Sequence, residues 1–97
     1  MLKPRPRGIV STLDGTPLAF AIVRIMGETG FEILHKITDQ SGHYYCLIPN
    51  GSYNVSIERK NSDQTYTKVM ENKSIFITKG YLEESFIVDE APLSLLG

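Results

Sequence analysis

The chain has 97 residues, enough for one domain and too few to divide between two cores. Ten Lys and Arg stand against eleven Asp and Glu, a net charge of -1 that removes the electrostatic case for a nucleic-acid or anionic-membrane partner. Apolar residues make up 41% of the chain but never run on long enough to span a bilayer, and one cysteine excludes an internal disulfide framework.

The opening Lys3-Pro4-Arg5-Pro6-Arg7 has charge but no apolar segment behind it, so it reads as an extended linker over residues 1–6 and not as a secretory signal. Residues 90–97 read as a tail or second linker, leaving a single domain over 7–89. Two readings follow, an intracellular protein or a domain of a longer polypeptide, and the tail without helix or strand pattern favours the second.

No window of a dozen residues has apolar positions at helical spacing. Short runs rich in Val, Ile, Tyr, Phe and Thr alternate instead with Gly, Asp, Asn and Pro, the pattern of many short strands. The first strand is expected over 7–13, closed by a turn at Asp14-Gly15-Thr16-Pro17. The second spans 18–26, with Ala21, Val23 and Ile25 on one face and Phe20, Ile22 and Arg24 on the other. The third, 31–38, and the fourth, 43–48, read as a hairpin around Asp39-Gln40-Ser41-Gly42. In that register Ile37 opposes Tyr44, His35 opposes Cys46 and Ile33 opposes Ile48, and these six are the better core candidates, although a bulge at the turn would shift the register by one and swap the faces.

Pro49-Asn50-Gly51 makes the next turn, and Tyr53, Val55 and Ile57 alternate with polar neighbours in the clearest half-buried strand of the chain. A polar loop over 59–64 precedes further strands at 65–71, 75–78 and 82–88, punctuated by Asn72-Lys73 and Lys79-Gly80. The strand at 65–71, with Lys68 and Glu71, has the charge of a protected sheet edge. Seven or eight strands with regular turns predict an all-β, antiparallel β-sandwich.

The ordered pattern carries a resemblance. Gly8-Ile9-Val10 leads to Asp14-Gly15-Thr16-Pro17-Leu18 and then Ala21-Ile22-Val23-Arg24-Ile25. Thr38-Asp39-Gln40-Ser41-Gly42-His43-Tyr44 follows, then Ile48-Pro49-Asn50-Gly51-Ser52-Tyr53-Asn54-Val55. This resembles the carboxypeptidase regulatory-like domain, a transthyretin-like, Greek-key β-sandwich, well over residues 8–57 and loosely beyond. The resemblance implies a non-catalytic accessory module: a spacer or protein-interaction domain beside enzymes, adhesins and envelope receptors. Its motif residues, Asp14, Gly15, Asp39, Gly42, Pro49 and Gly51, are turn formers and mark no catalytic centre.

Chemistry has few candidates. His35 and Cys46 would face each other in the hairpin register, but no third Cys or converging His completes a metal site, so the pair reads as packing. Glu83 and Glu84 point to opposite faces of a strand, and Asp14 and Asp39 serve their own turns. No phosphate loop, nucleophile elbow or calcium loop is present, so neither enzyme activity nor a cofactor is expected. Three Asn-x-Ser sequons, at Asn50, Asn54 and Asn72, are at the level chance allows in a strand protein.

The physical lead is an outward apolar set, Phe20, Ile22, Leu34, Tyr45 and Leu47, expected to form an interaction face for a neighbouring domain or a protein partner. The alternative is a ligand-binding module, for example for carbohydrate, that uses exposed tyrosines such as Tyr45, Tyr66 and Tyr81.

Overall fold

The computed structural model describes residues 7–89, so the expected linkers at 1–6 and 90–97 lie outside the described residues. Nine strand segments follow one another: β1 (Gly8–Thr12), β2 (Ile22–Met26), β3 (Glu32–Ile37), β4 (His43–Tyr44), β5 (Cys46–Leu47), β6 (Gly51–Lys60), β7 (Tyr66–Ile77), β8 (Tyr81–Leu82) and β9 (Phe86–Val88). No helix occurs among the described residues. The all-β expectation therefore holds at the level of strand content.

The strands form a four-stranded sheet in the order β3-β2-β6-β7, a three-stranded sheet β4-β1-β9 and a two-stranded sheet β5-β8. Pairing is antiparallel except between β1 and β9, which run parallel through Val10↔Phe86, Ser11↔Ile87 and Thr12↔Val88. The expectation of purely antiparallel pairing is corrected at that ladder.

The expected hairpin between the third and fourth strands does not form a ladder. β3 pairs with β2, from Ile22↔Ile37 to Met26↔Glu32, whereas β4 pairs with β1 through Gly8↔Tyr44 and Ile9↔His43. The chain changes sheets at the turn. Asp39 closes that turn, its Oδ1 accepting hydrogen bonds from the backbone N–H of Ser41 (2.8 Å) and of His43 (2.9 Å). Gly42 takes φ +77°, and a Cβ there would lie 2.6 Å from the Val10 carbonyl oxygen, so this crossing requires glycine.

One hydrophobic cluster is shared by all three sheets. Val23, Ile25, Val55, Ile57, Ile75 and Ile77 come from the four-stranded sheet, and Val10, Tyr44, Cys46, Leu82, Phe86 and Val88 from the others. The inward parity expected for Ala21, Val23 and Ile25, and for Tyr44, Cys46 and Ile48, is observed. The matching expectation for Ile33, His35 and Ile37 is corrected. Ile33 and Ile37 are exposed, and Leu34, expected to point outward, packs against the core opposite Ile25.

Other differences concern continuity, and the strands expected at 43–48 and 82–88 each divide between two sheets, as β4 and β5 and as β8 and β9. The strands expected at 65–71 and 75–78 are one strand, β7, whose ladder to β6 slips twice. Asn72 has φ 54° at the first slip, where its N–H donates to Ser56 Oγ, so Asn72-Lys73 marks a bulge and not a turn. The second expected strand loses its first residues because Phe20 takes the left-handed φ of 57°, and β2 begins only at Ile22.

Candidate functional site

Two surfaces bring chemically informative residues together. The first is the outer face of the four-stranded sheet. Alternation places Ile22, Arg24 and Met26 of β2 on that face, beside Ile37 and His35 of β3 and Glu58, Ser56 and Asn54 of β6. Arg24 is its electrostatic centre. Its Nε donates to Glu58 Oε2 at 2.6 Å and its terminal nitrogen to Glu32 Oε1 at 2.7 Å, while Glu32 Oε2 lies 3.0 Å from His35 Nδ1. The Glu58 and Glu32 carboxylates hold the guanidinium firmly protonated, and Arg24, then His35, hold the Glu32 carboxyl below the usual carboxylate range.

At one end of this face the charges give way to an apolar group. Ile22, expected as part of an exposed set, is buried, whereas Ile37 beside it is 55% exposed and Phe20 is 42% exposed. The Lys60 ammonium sits 5.7 Å from the Phe20 ring centroid, and Lys60 pairs with Tyr66 across the β6–β7 hairpin. A left-handed φ at a residue with a Cβ costs about 1–2 kcal/mol, so Phe20 projects its ring outward against local preference.

The second surface is a cleft of about 350 Å³ at the seam where the chain leaves β3 and enters β4. Arg7, Lys36, Ile37, Asp39, His43, Tyr44 and Tyr45 line it. Tyr44 forms its inner wall. Its ring stacks on Phe86 at a centroid distance of 6.2 Å and its hydroxyl donates to the Glu84 carbonyl, while burial pushes the phenol's pKa well above its ordinary value. The Asp39 carboxyl is held below its ordinary value, first by the His43 N–H and more weakly by Ser41 and the charges of His43 and Arg7.

No family model, curated protein or solved structure matches this chain.

The five residues expected to form one interaction face are divided between surfaces. Phe20 and Ile22 share the outer face, Leu34 turns inward, Tyr45 lines the seam cleft, and Leu47 is exposed on β5 opposite Tyr81. Ile37 and Lys60 complete the outer apolar group and escaped the sequence reading because the hairpin register turned Ile37 inward. His35 and Cys46 are separated: His35 meets Glu32 on the outer face, while Cys46 is buried opposite Leu82. Burial pushes the Cys46 thiol up against a weaker opposing pull from the Lys36 charge, which favours the unreactive protonated form.

Asp14 and Gly15 follow β1, and Pro49 and Gly51 lead into β6. Gly15 has φ +89° after Asp14, whose Oδ1 accepts from Thr12 Oγ1 and the Thr16 N–H, and Pro49 precedes the start of β6 at Gly51, its carbonyl accepting from the Tyr53 hydroxyl at 2.7 Å. Among the described residues no group of three or more His, Cys, Asp and Glu is arranged to hold a metal ion.

Proposed function

We propose that this chain is a non-catalytic accessory β-sandwich module, Greek-key and transthyretin-like in plan, that works as a spacer or protein-interaction domain within a larger, cell-envelope protein. Two features support the sandwich plan. The chain alternates between the four-stranded sheet and the other two, and all three contribute to one core. The Thr38-to-Tyr53 motif adds the family resemblance, on which the envelope setting rests alone.

The interaction role is carried by the outer apolar group. Phe20 and Ile37 flank Ile22 on a sheet face, with Lys60 and Tyr66 at the rim, the composition of an interface core edged by polar groups. The carbohydrate alternative has less support. Tyr66 is at the start of β7, Tyr81 on β8 and Tyr45 in the seam cleft, so the three share no single stacking plane.

Site-specific photocrosslinking in the native host tests the reading. A benzophenone side chain at position 20 or 37 should crosslink to one neighbouring domain or one partner, and the same group at Leu13, which is 70% exposed outside this face, should not. Equal crosslinking from all three positions would overturn the interface reading.

A further inference from the structure

We propose that the seam cleft is a binding site for an organic anion in which a single carboxylate is carried on an apolar ring or chain. The site adjoins the Phe20 group, with Ile37 shared at the boundary, and goes beyond the accessory role. Its volume, about 350 Å³, falls within the range of small-molecule pockets, roughly 300–1,000 Å³. Its lining has two characters. Ile37, Tyr44 and Tyr45 supply apolar surface, and Arg7, Lys36 and His43 supply hydrogen-bond donors.

The charges of the lining residues do not cancel among themselves. Asp39 is the acid of the cleft, but its Oδ1 already accepts two backbone N–H groups of its own turn and lies 3.8 Å from His43 Nδ1. Neither Arg7 nor Lys36 makes an ion pair among the described residues. Within the lining, two fixed cations against one carboxylate leave one positive charge for a monoanion to neutralise, and the Glu83 and Glu84 carboxylates act on Tyr44 from outside it.

The position of Lys36 fits this role. It lies opposite Val23 on the inward-facing parity of β3, at the sheet edge, and lines the cleft, a placement that suits a long side chain with an apolar stem and a charged end. A strongly hydrated dianion such as phosphate would gain little from the apolar walls. A simple ion such as acetate would leave them uncovered. An amphipathic carboxylate satisfies both, whether it is a free small acid or the C-terminus of a peptide ending in an apolar residue.

Titrations of the ¹⁵N-labelled protein, followed by amide shifts, test the site with phenylacetate, acetate and phenylacetamide as probes. Phenylacetate should move the amides of Lys36, Ile37, His43, Tyr44 and Tyr45 saturably, with acetate and phenylacetamide each weaker by about tenfold. Lys36→Gln combined with Arg7→Gln should weaken phenylacetate by about tenfold while leaving amide dispersion intact, and Phe20→Ser should not change it. Loss of binding in the former alone thus separates this site from the outer-face reading.

N-acetyl-Ala-Phe, with a free or an amidated C-terminus, distinguishes the two sources of carboxylate. Tighter binding of the free peptide acid than of phenylacetate identifies a chain end as the ligand, and weaker binding identifies a small acid. The absence of saturable shifts with phenylacetate at about 10 mM, or equal affinity in the double variant, would overturn the proposal.

Discussion

Thr38 shows how much one side chain fixes at the crossing between sheets. It is 1% exposed, and its hydroxyl donates to the Leu18 carbonyl at 2.6 Å and accepts from the Ala21 N–H at 2.8 Å. Both partners belong to the segment that Phe20 kinks out of strand geometry, so they have no ladder of their own to satisfy them. Thr38→Val keeps the shape and removes both bonds. Each stranded backbone group costs about 1–3 kcal/mol, giving a loss of roughly 2–6 kcal/mol for the two. Thr38→Ser keeps the hydroxyl and loses a methyl group, about 1 kcal/mol. Urea unfolding should therefore rank the variants wild type, Ser, Val, and a Val variant as stable as the Ser variant would refute this role.

At the scale of elements, Arg24 links three strands on the outer face of the four-stranded sheet. Its side chain is 30% exposed and that of Glu58 18%, so solvent screens the pair in part. A double-mutant cycle of Arg24→Met and Glu58→Gln should give a coupling of about 0.5–1 kcal/mol that shrinks in 1 M salt. A coupling indistinguishable from zero at low salt would show that the network does not help to hold β2 against β6.

Strand pairing was the part of the fold least legible in the sequence. β4 and β5 bury alternate residues, so Tyr44, Cys46 and Ile48 could be read as core whichever strand they faced. β3 gives no such signal. It is an edge strand, its ladder to β2 slips near Ile33, and five of its six residues are exposed. Alternation there does not say which face is inward, and adjacency in sequence does not give adjacency in space. Asn72 misled for a related reason: a bulge and a turn both favour a residue that tolerates positive φ.

For the whole molecule, the turns were legible and the clefts were not. Gly15, Asp14, Asp39 and Gly42 do work confined to a few neighbouring residues, which residue type alone reveals. The seam cleft draws on residues 7, 36, 39 and 43, which meet only because the chain changes sheets, so no local pattern announces it. The same carboxylates set the response of the molecule to acid. Asp14, Asp39 and Asp63 have lowered pKa values because backbone or side-chain donors in their turns stabilise the charged form, and Glu32 because Arg24 and His35 do. A folded-state value below the unfolded one means that the unfolded chain binds protons first as pH falls. The stabilisation from these groups is therefore complete above the ordinary carboxylate range, about pH 4, and is lost as pH drops through their folded values. Urea midpoints measured from pH 7 downward should hold level until about pH 5 and then fall steadily. Asp39→Asn should reduce the slope of that fall, since it removes one of the linked groups. A midpoint that stays level or rises below pH 4 would show that these carboxylates do not favour the folded state.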